Sequence, residues 1–262
     1  MTTRYAAMFE RCAAADEGAF GAFLMLGDPD LETSAELLDA LVDGGADMVE
    51  LGIPFSDPVA DGPVIQAAAL RALGAGVRTQ HCLDLLTAFR SRHGEVPIGI
   101  LTYANIVAAR GIETFFAELA AAGVDSLLVA DVPSIEAAPY AAAARVAGID
   151  FVMIAAPNTP VDTLAKIAAL SSGYTYCVAR AGVTGANAEL ALDHAPLFAA
   201  LGNVGAPPPV LGFGISSPEQ VRQALGSGAA GVISGSAIVA KVEQGPTAVR
   251  EFVASMKAAT SR

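Results

Sequence analysis

The sequence has no tryptophan and few basic residues. The scarcity of basic residues argues against nucleic acids and anionic membranes as partners. Its 262 residues include 15 lysines and arginines against 27 aspartates and glutamates, which gives a formal net charge of -12. Nucleic acids and anionic membrane surfaces bind basic patches, so we expect neither as a partner. A small anionic substrate stays possible, because backbone N–H groups can bind phosphate without lysine or arginine.

Cysteine is also scarce, since the chain has only Cys12, Cys82 and Cys177, widely spaced and without a Cys-x-x-Cys pair. This pattern is typical of reduced thiols and predicts neither a disulfide framework nor a metal site. The first 20 residues lack the apolar stretch of a signal peptide. No apolar run approaches the ~18 residues that cross a membrane. We therefore expect a cytoplasmic protein that holds no metal.

Short apolar runs alternate with alanine-rich stretches of helical length along the chain. The apolar runs predict eight strands, at 20–26, 48–52, 97–101, 126–130, 151–155, 174–178, 209–212 and 231–234. The stretches between and around them predict helices at 4–15, 31–43, 64–73, 80–90, 112–122, 135–147, 161–170, 190–201, 218–225 and 247–258. The three histidines, His81, His93 and His194, lie in or beside these helices, and we expect them at the surface.

Eight strands, each followed by a helix, predict a parallel α/β protein. A closed barrel and an open, doubly wound sheet are both compatible with this pattern, and the count of eight favours the barrel. No linker or change of composition divides the chain. The prediction is a single (β/α)8-barrel domain over residues 1–262, with additional N-terminal and loop helices.

Glu50 is the most informative residue, because it lies inside an apolar strand close to its carboxyl end. Barrel enzymes place their active sites at that end of the strands. Burial raises the pKa of a carboxyl group, which suits a general acid near neutral pH. A carboxylate that only accepts a backbone hydrogen bond is the alternative, and the position favours function.

Two more acids, Asp57 and Asp61, follow in the next loop. Loop acids are commonly solvated or cap a turn or helix. Asp61 is the stronger candidate, because its loop could fold back over the barrel mouth opposite Glu50. A buried and a more solvated carboxyl group would have separate pKa values and could provide an acid and a base.

Glycine-rich turns follow the sixth, seventh and eighth predicted strands: Gly182–Gly185, Gly212–Ser216 and Gly235-Ser236. One such turn would be an ordinary tight connection. Turns after neighbouring strands favour a phosphate site, which barrels often place after strands seven and eight. Tyr174 and Tyr176 share one strand face and could bind a carboxylate or line a ring pocket, although core filling is the usual role of buried tyrosine.

The run from Glu50 to Gln66, ELGIPFSDPVADGPVIQ, closely resembles the signature of tryptophan synthase alpha subunits. Shorter matches follow the same order along the chain: LGDP at 26–29, YAN at 103–105, DVP at 131–133, RAGVTG at 180–185, GFGIS at 212–216 and GSA at 235–237. The resemblance implies a (β/α)8 barrel that cleaves indole-3-glycerol phosphate into indole and glyceraldehyde 3-phosphate, without a metal or a cofactor of its own.

The resemblance also implies roles for individual residues. Glu50 corresponds to the general acid that protonates C3 of the indole ring, and Asp61 to the acid that polarises the indole N–H. Whether Glu50 also takes the proton of the glycerol hydroxyl is left open. Substrate-binding positions correspond to Phe23, Leu101, Tyr103, Leu128, Ala130, Ile154, Tyr176, Thr184 and Phe213, with Thr184 on a mobile loop. Phosphate-binding positions correspond to Gly185, Gly214, Gly235 and Ser236.

Subunits of this family dock on a beta subunit that holds pyridoxal phosphate, in an alpha2-beta2 tetramer, and pass indole to it through a tunnel. The loop 54–61 and the loop after the sixth strand would carry signals to that partner. The chain departs from the family at Ala22, Met25 and Asn187, where proline, threonine and glutamate are usual. A stand-alone lyase, a non-catalytic activator of the beta subunit and another phosphate-binding barrel are the alternative hypotheses.

Overall fold

A computed structural model describes residues 3–178 and 194–261 of the chain. Its strands are β1 (Ala19–Met25), β2 (Met48–Gly52), β3 (Ile98–Thr102), β4 (Ser126–Val129), β5 (Asp150–Phe151), β6 (Ile154–Ala155), β7 (Thr175–Val178), β8 (Pro209–Gly212) and β9 (Gly231–Ser234). Its helices are α1 (Arg4–Ala14), α2 (Leu31–Asp43), α3 (Pro63–Gly74), α4 (Thr79–Arg92), α5 (Ala104–Arg110), α6 (Ile112–Ala121), α7 (Ala138–Ala147), α8 (Val161–Leu170), α9 (Ala195–Asn203), α10 (Pro218–Gly226), α11 (Ser236–Val239) and α12 (Pro246–Lys257).

The strands form one parallel sheet in the order β5-β4-β3-β2-β1-β9-β8-β7-β6. Its two outer members, β5 and β6, are consecutive parts of one extended segment. Within that segment the Val152 N–H donates to the Leu127 carbonyl oxygen over 3.0 Å, and the Met153 carbonyl accepts from Tyr176 N–H over 3.0 Å. The segment therefore pairs with β4 on one side and β7 on the other, which closes the sheet into the predicted barrel.

The strands are buried on both faces, as expected where a parallel sheet has helices around it. Every residue of β1 and β2 is buried. The helices begin and end at residues suited to those positions. Asp30 accepts the Thr33 N–H over 2.9 Å at the start of α2, and Gly148 ends α7 in a left-handed conformation with φ 72°.

Helix α1 closes the N-terminal end of the barrel. Tyr5 of this helix is fully buried, and its hydroxyl group lies 2.8 Å from Ser126 Oγ at the first position of β4. The Tyr5 ring also packs against that of Tyr174, with 5.2 Å between centroids. Because one end of the barrel is filled in this way, a ligand must enter at the carboxyl ends of the strands.

The predicted elements agree with the observed ones at most positions, and β2, β8, β9, α2 and α8 have the predicted bounds. The fifth predicted strand is interrupted at Val152 and Met153. Helix α7 begins three residues later than predicted, because residues 133–136 form a turn in which the Glu136 N–H bonds to the Pro133 carbonyl oxygen. Residues 190–193 of the eighth predicted helix lie outside the described residues. Helices α5 and α11 were not predicted.

The expectation that all three histidines lie at the surface is wrong for His194. This residue is 3% exposed, immediately before α9, and its ring stacks on Phe198 with 6.1 Å between centroids. An apolar residue one turn into the helix therefore covers the ring. His93 is half-buried, with Nε2 2.7 Å from Asp39 Oδ1. Within the described ranges, no helix is long and apolar enough to cross a membrane.

Candidate active site

Glu50 lies at the third position of β2, between Phe23 of β1 and Gly99 of β3 in the register of the sheet. Its side chain points into the barrel, where the residue is 3% exposed. The Tyr174 hydroxyl group donates a hydrogen bond to Glu50 Oε1 over 3.2 Å. Burial raises the pKa of Glu50 to about 8, and this effect outweighs the hydrogen bond from Tyr174, which favours the ionised form. The negative charge of Asp61 raises the pKa further.

Asp61 reaches the same space from the loop between β2 and α3, and it is 6% exposed. The Tyr103 hydroxyl group donates a hydrogen bond to the Asp61 carboxyl group. The same hydroxyl group accepts a hydrogen bond from the Ala60 N–H over 3.3 Å. The Asp61 carbonyl oxygen accepts a hydrogen bond from Gln66 Nε2 over 2.7 Å. These contacts fix both the backbone and the side chain of Asp61. Burial raises its pKa to about 6, against the lowering effect of the Tyr103 hydrogen bond.

The two carboxyl groups line a cleft at the carboxyl ends of the strands. Apolar side chains form most of its wall, and the space, including its open mouth, is about 710 Å³. The described residues that line the cleft are Phe23, Glu50, Ala60, Asp61, Ile65, Leu101, Ala130, Ile154, Tyr176, Phe213, Gly214, Ile215, Ser216, Ile233, Gly235, Ser236 and Ala237.

One wall of the cleft consists largely of backbone. Gly214 and Gly235, which belong to two neighbouring loops, line it. The loop after β8 turns sharply, because Phe213 and Gly214 have φ values of 65° and 86°. A phenylalanine in the left-handed region is strained, and such strain is common at functional sites. Ser236 begins α11 directly after Gly235 and adds a hydroxyl group to this wall.

Gly212, the last residue of β8, is required by its neighbour Tyr176. A β-carbon at this position would lie 2.0 Å from Tyr176 Oη and 2.1 Å from its Cζ. The Tyr176 ring also meets Phe213 edge-on, with 5.8 Å between centroids. The absence of a side chain at Gly212 therefore gives the Tyr176 ring its place in the wall of the cleft.

The family model of the tryptophan synthase alpha chain matches residues 9–261. The alpha chain of Shewanella amazonensis is 50% identical over 264 aligned residues, which cover 98% of this chain and 99% of the relative. The alpha chain of Aeromonas salmonicida is 53% identical over 265 residues, which cover 98% and 99%. This chain belongs to the tryptophan synthase alpha chain family.

Solved structures of tryptophan synthase agree with this membership. A chain of the Mycobacterium tuberculosis tryptophan synthase superposes with a TM-score of 0.92 at 32% identity and full coverage of both chains. A chain of the tryptophan synthase complex of Pyrococcus furiosus superposes with a TM-score of 0.81 at 36% identity, covering 92% of this chain and 98% of that one. The chain is accordingly an enzyme subunit of the tryptophan synthase alpha type.

Most residues that the sequence resemblance assigned to the alpha-chain site lie around one cleft. They are Phe23, Glu50, Asp61, Leu101, Ala130, Ile154, Tyr176, Phe213, Gly214, Gly235 and Ser236. Tyr103 and Leu128 are not part of the cleft wall. Tyr103 instead bonds to Asp61, with its ring stacked on Phe55 at 5.4 Å between centroids. Leu128 is buried on β4 beside Leu101.

Thr184, Gly185 and Asn187 lie outside the described residues, so their predicted roles stay predictions. Met25, another departure from the family pattern, is buried at the end of β1. Its side chain fills the space beside Gly52, where an added β-carbon would lie 3.0 Å from Met25 Cε. Ala22 is likewise buried in β1. Neither residue lines the cleft.

Sequence reasoning missed several residues of the cleft wall: Ala60, Ile65, Ile215, Ser216, Ile233 and Ala237. All except Ile233 fall within motifs that the sequence singled out, so the motif positions themselves could have indicated them. The described residues contain no group of three or more histidine, cysteine, aspartate or glutamate side chains that could hold a metal ion.

Proposed function

We propose that this alpha chain is a carbon–carbon lyase that cleaves indole-3-glycerol phosphate into indole and D-glyceraldehyde 3-phosphate, a step of tryptophan biosynthesis. One observation carries the proposal. Two buried carboxyl groups, Glu50 and Asp61, with pKa values of about 8 and about 6, line the same largely apolar cleft. The reaction needs an acid that protonates a carbon of an apolar ring and a carboxylate that stabilises the positive charge on the ring nitrogen, and these two groups meet both needs.

The pKa values assign different roles to the two acids. At neutral pH Glu50 is mainly protonated and Asp61 mainly ionised, because their pKa values lie on either side of 7. Glu50 therefore serves as the proton donor and Asp61 as the negative group. In the proposed reaction Glu50 donates its proton to C3 of the indole ring, and the positive charge that develops at the ring nitrogen is stabilised by the Asp61 carboxylate.

Protonation of C3 prepares the bond to the glycerol phosphate for cleavage. As the hydroxyl group on the adjacent glycerol carbon loses its proton, its oxygen forms the aldehyde carbonyl. The electron pair of the breaking carbon–carbon bond returns to the ring and neutralises it, which releases indole. We propose that the ionised Glu50 carboxylate takes that hydroxyl proton, which regenerates the acid form for the next cycle.

The rest of the cleft fits the two ends of this substrate. Phe23, Leu101 and Ile154 provide apolar walls for a flat ring. Gly214, Gly235 and Ser236 provide closely approachable backbone and a hydroxyl group for the phosphate. We propose that Thr184 and Gly185 complete the site from the loop after β7. We also propose that the chain forms one domain, because its strands make a single closed sheet.

We further propose that the chain works in the cytoplasm, in an alpha2-beta2 tetramer with a beta subunit that alone holds pyridoxal phosphate. Membership of the family supports this arrangement, as does the match to a tryptophan synthase complex. Two apolar side chains on loops at the carboxyl ends of the strands, Val59 and Ile135, are 71% and 80% exposed. A partner that covered them would lie over the same end of the barrel as the cleft.

The decisive experiment measures indole release from indole-3-glycerol phosphate by the isolated chain. We expect measurable release, and a loss of roughly 100- to 10,000-fold in kcat for Glu50→Gln. Glu113→Gln, on the exposed first turn of α6, is the matched control and should retain full activity. Equal rates for Glu50→Gln and the wild-type chain would remove the catalytic proposal.

The alternative hypotheses predict other results. A non-catalytic activator would leave the isolated chain inactive yet raise the activity of an added beta subunit. A stand-alone lyase would release indole and fail to co-purify with a co-expressed beta subunit. The buried pair Glu50 and Asp61 favours a catalytic chain over the activator, because an activator would have no use for two desolvated carboxyl groups.

A further inference from the structure

Ser234 joins the ends of two neighbouring strands beneath the cleft. It is the last residue of β9 and is completely buried, with 0% exposure. Its Oγ donates a hydrogen bond to the Ile215 carbonyl oxygen over 2.7 Å, and Ile215 belongs to the loop after β8. Resting on the function proposed above, we propose that Ser234 is a positioning residue that holds this loop in the shape that receives the substrate phosphate.

The peptide group between Ile215 and Ser216 is fixed at both ends. Its carbonyl oxygen accepts from Ser234, and its N–H donates to Gln220 Oε1 over 2.7 Å. Carbonyl and N–H point in opposite directions in a trans peptide, so these two bonds determine the orientation of the peptide plane. Gly214 lies next to this plane, with a φ of 86°. A rotation of the plane would therefore change the part of the loop that lines the cleft.

Ser234 acts on the loop without touching the cleft. Its neighbours Ile233 and Gly235 both line the cleft, whereas Ser234 does not. Side chains alternate along a strand, so the Ser234 side chain points away from the cleft. A hydroxyl group in this fully buried position is unfavourable unless it is hydrogen-bonded. Among the described residues, the partner of this hydroxyl group is the Ile215 carbonyl oxygen. The role of Ser234 is therefore to hold the loop.

The test compares ligands that bear a phosphate with one that does not. Isothermal titration calorimetry would measure the Kd of the wild-type chain and of Ser234→Ala for indole-3-propanol phosphate, glycerol 3-phosphate and indole. We expect Ser234→Ala to weaken both phosphate ligands about tenfold and to leave indole within about twofold of wild type. The KM for indole-3-glycerol phosphate should rise by more than kcat falls, because the two carboxyl groups stay in place.

Ser34→Ala is the matched control. Ser34 is also buried, and its Oγ accepts the Gly27 N–H over 2.9 Å in a loop that does not line the cleft. This variant should lower the Tm without a change in any of the three affinities. Gln220→Leu breaks the other bond of the same peptide group, so it should weaken the phosphate ligands selectively even if Ser234→Ala does not fold.

The outcomes separate this inference from the function on which it rests. If the wild-type chain binds indole and neither phosphate ligand, the proposed phosphate site itself is wrong. If the wild-type chain binds them and the two loop variants keep its ratio of phosphate to indole affinity, the positioning role of Ser234 is wrong. Equal losses for indole and the phosphate ligands would also overturn it, since they would indicate a general disturbance of the barrel.

Discussion

Tyr174 Oη and Glu50 Oε1 lie 3.2 Å apart in the interior of the barrel. The hydrogen bond favours the ionised carboxylate, while burial favours the protonated acid, and burial is the larger effect. Tyr174 thereby limits how far the pKa of Glu50 rises. This relationship places the proton donor of the proposed reaction within the pH range where it can still lose its proton.

Cleavage of indole-3-glycerol phosphate should therefore follow a bell-shaped dependence on pH. The rate should rise as Asp61 ionises around its pKa of about 6 and fall as Glu50 loses its proton around its pKa of about 8. In Tyr174→Phe the bond that lowers the Glu50 pKa is absent, so the alkaline limb should move to higher pH. The measurement is kcat/KM as a function of pH for both proteins, because this ratio reports the pKa values of the free enzyme.

Tyr140→Phe is the control for this profile, because Tyr140 lies on α7 and does not line the cleft. Its profile should match that of the wild-type chain. An alkaline limb that stays in place in Tyr174→Phe, or that moves to lower pH, would contradict the role assigned to the Tyr174 hydroxyl group.

Burial of Glu50 also predicts how stability depends on pH. Its pKa is about 8 in the folded chain against an ordinary value of 4.5. Between these values the folded chain binds more protons than the unfolded chain, so the contribution of Glu50 to the free energy of unfolding falls as pH rises from about 4.5 through about 8. Glu50→Gln cannot ionise, and its stability relative to wild type should therefore be higher at pH 9 than at pH 5.

Urea unfolding of both proteins at the two pH values measures this difference. Titrating groups distant from Glu50 contribute equally to wild type and variant, so subtracting the two free energies of unfolding leaves the contribution of Glu50 together with its interaction with Asp61. If Glu50→Gln loses stability relative to wild type between pH 5 and pH 9, the carboxyl group is ionised in the folded chain, and its assignment as the proton donor fails.

The sequence predicted those features that depend on local pattern. The alternation of apolar runs with helices predicted the barrel, and the position of Glu50 inside a strand predicted a buried acid. Helix α5 was missed for an identifiable reason. Its first N–H, at Ala104, donates to Asp131 Oδ1 over 2.8 Å. A helix that is capped by a side chain 27 residues away shows no capping signal in its own sequence.

Contacts between distant residues were the other part that the sequence could not provide. Tyr103 was assigned to the ring pocket by resemblance alone, and its bond to Asp61 depends on a loop that folds back to β3. The bond from Ser234 to Ile215 likewise needs β8 and β9 to lie side by side. Burial of His194 depends on Phe198, whose ring covers it once α9 forms.

Gly212→Ala should disable the cleft while leaving most of the barrel intact. The added methyl group would lie 2.0 Å from Tyr176 Oη, so the Tyr176 ring or the end of β8 must move. We expect kcat/KM to fall roughly tenfold or more. Gly202→Ala, in α9 with no heavy atom within 4 Å of the new β-carbon, is the control. It should keep full activity and gain about 0.5 to 1 kcal/mol of stability.

Truncation of the opposing side chain distinguishes a local clash from a general effect of alanine in β8. In the double variant with Tyr176→Ala the new methyl group has space, so the cost of Gly212→Ala measured in that background should shrink towards zero. An unchanged cost would mean that the Tyr176 ring is not what requires glycine at this position.

Arg71→Met should destabilise the chain far more than the loss of an ordinary surface charge. Asp28 is almost fully buried in the loop after β1, and both of its oxygens accept hydrogen bonds from the Arg71 guanidinium, over 2.7 and 2.8 Å. Removal of Arg71 leaves a buried carboxylate without its cation, which we expect to cost about 2 to 3 kcal/mol. Arg222→Met breaks an exposed pair with Glu219 and should cost less than about 0.5 kcal/mol.

Urea unfolding of the two arginine variants at pH 7 measures these costs as changes in midpoint at constant slope. The Asp28→Asn background then tests the cause. If the stranded negative charge is responsible, Arg71→Met should cost less there than in the wild-type chain, because a neutral amide replaces the carboxylate. A cost that is equal in both backgrounds would mean that Arg71 stabilises the chain through an interaction other than its pair with Asp28, such as its pair with Glu243 at 3.8 Å.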